Sequence, residues 1–182
     1  MKKLLKVICA AALVFSATGA LALKDPMVGG AAMYPTRNIV QNAIHSRAHT
    51  TLVAAVKAAG LVKTLESPGP FTVFAPTNKA FDKLPAGTVQ TLLKPENKAK
   101  LTAILEYHVV PGRITTKDLK KLIRKGHGEA MLKTVQGGML TFKSMRGHYY
   151  VIDAKGDKAM ITIRNVYQSN GVIQVINAVL LP

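Results

Sequence analysis

Residues Gly69 to Leu84, GPFTVFAPTNKAFDKL, decide how this chain is read. Phe71 to Ala75 is a short apolar run rich in β-formers, which predicts a buried strand. Ser67-Pro68-Gly69-Pro70 punctuates its start, because proline fixes φ and removes a backbone donor. Pro76 closes it, and Thr77 stands where a side-chain oxygen would cap a new helix. Ala80, Phe81 and Leu84 recur at helical spacing and predict the buried face of that helix. A strand running straight into a helix is thus the centre of the fold.

Upstream the pattern is helical. Ile39, Val40, Ala43 and Ile44 suit a first helix. Leu52, Ala55, Val56 and Ala59 line a second over Thr51 to Ala59, with Gly60 as its stop. Downstream of Pro85-Ala86-Gly87-Thr88, Val89 to Leu93 makes another helical turn. Pro95 and Glu96 then open a longer helix whose apolar face carries Leu101, Ile104, Leu105 and His108. Thr116 is expected to cap a cationic helix over Lys117 to Lys125, with Leu119, Leu122 and Ile123 turned inward. Short β-type runs follow at Met131–Val135, Met139–Lys143, Tyr149–Ile152, Ala159–Val166 and Val172–Leu180, separated by glycine turns. Helices first and strands later, with one strand between, predict an α+β fold.

The first 22 residues read as a signal peptide: a Lys2, Lys3, Lys6 n-region, an apolar Val7–Phe15 stretch and a small-x-small end at Ala20-Leu21-Ala22. The apolar run is shorter than a spanning helix needs. Cys9, the single cysteine, lies inside it, so cleavage would leave a domain with no thiol chemistry and no disulfide. Removing three lysines leaves 22 basic residues against 9 acidic ones, a net charge of +13. Such a surface favours anionic partners, and export argues against nucleic acid. Residues 23–33 are Gly- and Ala-rich without a period, which predicts a flexible lead-in, with one domain over 34–182.

Three segments carry a specific resemblance. GPFTVFAPTNKAFDKL resembles the first signature of fasciclin (FAS1) domains, Tyr107-His108 before Val-Val-Pro-Gly resembles their central motif, and NGVIQVINAVLLP (170–182) resembles their closing strand. The resemblance implies a wedge of folded-over sheet with about seven strands, flanked by several short helices. It also implies adhesion rather than catalysis. In some animal relatives the Tyr-His pair is implicated in adhesion, although a histidine at a helix end can equally bond the last carbonyls. Integrin-binding relatives carry an Asp-Ile pair where this chain has Asn165 and Val166. The closing signature commonly has His and Asp where Gln174 and Asn177 stand. An amide is a weaker ligand than a carboxylate for a hard cation, so integrin-style adhesion is not expected. Asn170-Gly171 reads as a hairpin turn with positive φ.

No catalytic motif is present, and His45 and His49, though four apart, have no partner ligand between them. No enzyme activity, cofactor or metal is expected. The interaction candidates are Tyr107, His108, Lys117, Lys120, Lys121, Arg124 and Lys125, with Lys94, Lys98 and Lys100 adding to the basic surface. Thr77, Phe81, Asn170 and Gly171 are expected to be structural. The expected function is that of a secreted or periplasmic monomer binding cell-surface or matrix components through anionic glycan or lipid headgroups. The alternative is a carrier of a carotenoid or lipid, with Met131, Met139, Met145 and Met160 as adaptable apolar surface. Core filling accounts for the same methionines more simply.

Overall fold

The computed structural model describes residues 25–182. The expected signal peptide lies outside the described residues. The described residues begin with a small hairpin, β1 (Met27–Val28) and β2 (Ala31–Ala32), turned by Gly29 and Gly30 at φ of 60° and 81°. Helices α1 (Ile39–Ala43), α2 (Thr50–Ala59) and α3 (Val62–Glu66) follow, α2 ending on Gly60 in the left-handed region. Strand β3 (Phe71–Pro76) leads into α4 (Asn78–Phe81), as its sequence requires, and then α5 (Thr88–Leu92), α6 (Lys98–Tyr107) and β4 (Val109–Pro111). Helix α7 (Thr116–Lys125) precedes five strands: β5 (Glu129–Lys133), β6 (Met139–Met145), β7 (His148–Ile152), β8 (Lys158–Gln168) and β9 (Gly171–Ile176).

Seven of the strands form one sheet in the order β4-β3-β9-β8-β7-β6-β5. The closing strand β9 pairs parallel with β3, Phe71 opposite Gly171 and Pro76 opposite Ile176, and the remaining pairs are antiparallel. Two register shifts in β8 fold the sheet over, and the Val135 N–H donates to Val109 O at 2.8 Å, drawing the β5 end back toward β4. The α+β class and the folded-over seven-strand sheet expected from the sequence are both present.

β3 and β9 are interior strands buried on both faces, which is why both read as apolar runs rather than as alternating strands. Val73, Ala75, Ile173 and Val175 face a core built by α1, α2 and α6. Phe74 and Ile176 face a second core under α7, where the Phe74 and Phe142 rings meet at 5.2 Å.

The lead-in expectation needs correction. Val28 and Met33 are 3% and 2% exposed in the first core, the Arg47 N–H donates to Gly29 O, and a Cβ on Gly29 would sit 2.5 Å from Ser46 and Ala48 atoms. The hairpin belongs to the domain. Strands of two residues are too short to show a period, so composition alone pointed to flexibility.

Candidate interaction surface

Helix α7 carries the basic residues, and its geometry follows from its N-terminus. Thr115, not Thr116, is the cap. Its hydroxyl oxygen accepts from the Asp118 N–H, and the Asp118 carboxylate accepts from the Thr115 N–H at 3.0 Å, a reciprocal capping box. Thr116 is used otherwise. Its N–H donates to Asn165 Oδ1 and its hydroxyl accepts from Asn165 Nδ2, both at 2.9 Å.

Asn165 sits in the β8 irregularity at φ 54°, a conformation asparagine tolerates better than most residues. Its own N–H donates to Gln174 Oε1, and Gln174 Nε2 donates to Asn165 Oδ1 and Ile114 O. The residues standing where integrin-binding relatives carry Asp and many members carry His are therefore an internal amide network. It anchors the start of α7 to the sheet.

Below, Leu119 and Ile123 are buried in the second core. Above, Lys117, Lys120, Lys121, Arg124 and Lys125 are all exposed. The ion pairs found among the described residues are Lys94–Glu96 and Lys143–Glu129, so none of the five α7 cations is neutralised by one. The single acid on the helix, Asp118, is already held by its cap. The Thr115 hydroxyl and N–H, with smaller help from Lys121 and Lys117, keep its carboxyl below the usual range. Arg124 and Lys125 occupy the last turn, where the helix dipole favours cations. The face is rigidly backed and positively charged.

The other candidates separate from it. α6 packs on α2, while α7 packs on β5 and β6, so Lys98 and Lys100 lie on a different part of the surface. Lys98 lies beside Gly60 at the end of α2. Tyr107 and His108 are both buried and present nothing to a partner. The Tyr107 hydroxyl donates to Met139 O at 2.8 Å and accepts from the Ala154 N–H at 3.0 Å, and burial pushes its pKa up. His108 bonds Ile104 O through Nδ1 at 2.8 Å and accepts the Leu180 N–H at Nε2, which requires the neutral Nδ1–H tautomer. Burial lowers its pKa to about 4.

Thr77 takes the N-cap position of α4, but its hydroxyl caps nothing. Asn78, which sequence reasoning missed, does the tying instead. Its Oδ1 accepts from the Thr51 N–H, and its Nδ2 donates to Arg47 O and Thr50 Oγ1. Phe81 is buried as expected. Neither Asn170 nor Gly171 has positive φ, since the β8–β9 turn falls on Ser169-Asn170. Gly171 is needed for another reason: a Cβ there would lie 2.1 Å from Phe71 O.

Three of the four methionines proposed as core filling are exposed, Met131 at 57%, Met139 at 41% and Met145 at 38%. They stand on the outer face of β5 and β6, where no helix covers them, because α7 occupies the inner face. His45 is exposed and His49 buried, on no common helix. Among the described residues no three His, Cys, Asp or Glu gather as a metal site, and no helix is long and apolar enough to cross a membrane.

Comparison with known proteins agrees with this architecture. Protein sll1483 of Synechocystis sp. is 48% identical over 159 residues, spanning 87% of this chain and 81% of that protein. The cell surface glycolipoprotein MPB83 of Mycobacterium bovis is 31% identical over 160 residues, 87% of this chain and 61% of MPB83. Among solved structures, a FAS1 domain pair from the insect cell adhesion molecule Fasciclin I superposes with a TM-score of 0.71 at 21% identity. That match covers 80% of this chain and 51% of the pair, and at such identity it speaks to fold alone. The Fasciclin domain profile matches residues 47–182, so this chain belongs to the fasciclin domain family.

Proposed function

We propose that this chain is a non-catalytic, exported interaction module whose α7 face holds anionic groups on a cell-surface or matrix component. The observation that carries the reading is the single helix face on which five exposed cations stand without an ion pair, fixed from below by Leu119, Ile123 and the Asn165–Gln174 network. Rigid backing lowers the ordering penalty of binding, and clustered cations at solvent attract anions over about a Debye length. Fasciclin I is a cell adhesion molecule, and MPB83 is a cell surface glycolipoprotein. Both are consistent with the expected signal peptide. The monomer acts alone in this proposal. The carrier alternative gains little from the methionines, which lie on an open face rather than around an enclosure.

The test uses the K120E/K121E/R124E variant, whose fold should persist because all three side chains are exposed. Binding is measured to a sulfated glycan and to vesicles with anionic headgroups, at low and at high salt. The proposal expects salt-sensitive binding to one of them and its loss in the variant. Unchanged affinity in the variant would remove α7 as the contact.

A further inference from the structure

A cavity of about 110 Å³ lies beneath the N-terminal helices, but its lining mixes aliphatic side chains with Ser46, Lys57, Thr64 and Glu106 and singles out no occupant. The outer face of the β6–β7 hairpin is more specific. There Met145 and His148 are cross-strand partners on either side of the two-residue turn Arg146-Gly147. Directly opposed residues project from the same face of a sheet, with Cβ atoms about 4.5–5.5 Å apart. Both side chains are exposed, Met145 at 38%. A thioether sulfur and an imidazole therefore stand side by side at the surface.

The turn that carries them is fixed. Arg146 takes a φ of 50°, a left-handed conformation that a residue with a Cβ keeps only where its surroundings impose it. Gly147 follows at φ 79°, which completes the tight reversal and holds the two strands in register. From β8, Arg164 donates to Gly147 O at 2.9 Å, while its guanidinium lies 5.1 Å over the Tyr149 ring. Tyr149 and Val151, on the opposite face of β7, pack into the second core. The backbone under the two donors does not have to order when a ligand arrives, so binding carries a smaller entropic penalty.

The donor set selects the ligand. Thioether sulfur is a soft, polarizable donor and imidazole suits copper, so the pair fits Cu(I) and its heavier congener Ag(I). Hard divalent ions favour carboxylate oxygen, and Glu129 on the same face is already held by Lys143 at 2.9 Å. Arg146 and Arg164 add positive charge at the turn, which opposes a divalent ion about twice as strongly as a monovalent one. The described residues contain no cysteine, so no thiolate among them competes for a soft ion. Exposure alone does not make such a site. Met131 and Met139 are at least as exposed, but they stand opposite Thr141 and Lys133, neither of which is a soft donor.

We propose that Met145 and His148 form a surface site for a soft monovalent metal ion, Cu(I), held between the methionine sulfur and an imidazole nitrogen. The site is independent of the α7 face. The test titrates the full chain carrying Cys9→Ser, so that its single thiol cannot compete, with Ag(I) as an air-stable probe in chloride-free buffer. Methionine methyl and histidine ring NMR signals are followed. Those of Met145 and His148 should move together and saturate at one ion per chain, while Met131 and Met139 stay still. Met145→Leu should weaken binding by more than the ~10-fold that loss of a supporting contact costs a metal site, and the His148 shift should vanish with it. Met131→Leu should leave the affinity unchanged. Both substitutions fall at exposed positions, where the fold tolerates them. Cu(I) kept reduced with ascorbate should displace Ag(I) from the same two residues. Met145 or His148 unmoved by Ag(I), equal shifts at Met131 and Met145, an unchanged affinity in Met145→Leu, or no competition by Cu(I) would each overturn the proposal.

Discussion

His108 shows how much one side chain can settle. It terminates α6, bonds the Ile104 carbonyl of its own helix, and takes the Leu180 N–H of the C-terminal segment. The two bonds coexist only while the ring is neutral, because a protonated Nε2 cannot accept from Leu180 although Nδ1–H would still donate to Ile104. With the folded pKa lowered to about 4 from an ordinary 6.5, the unfolded chain takes up the proton first as pH falls. The stability this residue contributes is therefore complete above about pH 6.5 and is lost progressively down to about pH 4. The loss is about 3 kcal/mol, since each tenfold difference in proton affinity between the folded and unfolded chain is worth about 1.36 kcal/mol. His49, also lowered by burial, adds in the same direction. Urea midpoints measured from pH 7.5 to 4 should fall across this window. The fall should be smaller in His108→Gln, whose amide can donate to Ile104 and accept from Leu180 without titrating. A midpoint flat over the window would show that His108 is not buried neutral.

Between elements, Asn170 ties the N-terminal helices to the sheet. Its Oδ1 accepts from the Ile39 N–H at the start of α1, and its Nδ2 donates to Leu65 O in α3 and Ser67 O beyond it. Its backbone carbonyl also takes the Phe71 N–H at the head of β3. Asn170→Ala leaves the Ile39 donor and two carbonyls unpaired at a site 8% exposed, a loss of about 2–4 kcal/mol. Chemical denaturation measures it, and a loss below about 1 kcal/mol would mean that water replaces the amide. Asn170-Gly171 reads in the sequence as a positive-φ turn, because Asn-Gly favours one, but neither residue has positive φ. Here Arg146-Gly147, at φ of 50° and 79°, makes that turn in the β6–β7 hairpin. The cap of α7 was missed by one residue because two threonines stand side by side, and only the Asp118 geometry distinguishes them. Periodicity found the inward faces of α2 and α7. It was silent on the side-chain bonds of Asn78 and Asn165, whose partners lie up to 49 residues away.

At the scale of the whole molecule, two cores share the β3–β9 pair as a common wall, and this explains where sequence reading stopped. The signatures resembling fasciclin domains encode that wall, so the family was legible from them. The basic helix was legible too, since charge and amphipathic spacing are local properties. The cavity beneath the N-terminal helices was not, because its lining comes from the hairpin, four helices and four strands brought together only by folding. The hairpin matters most here, since the sequence had set the domain boundary after it. A chain starting at Tyr34 would lose Val28 and Met33 from the first core. Each such side chain is worth about 1.5–3 kcal/mol when fully buried. Release of the ordered hairpin backbone opposes this, and the packing and hydrogen bonds lost with it are expected to leave the shorter chain the less stable. Denaturation of chains starting at Asp25 and at Tyr34 should show that gap. Equal stability of the two chains would return the hairpin to the role of a loose leader.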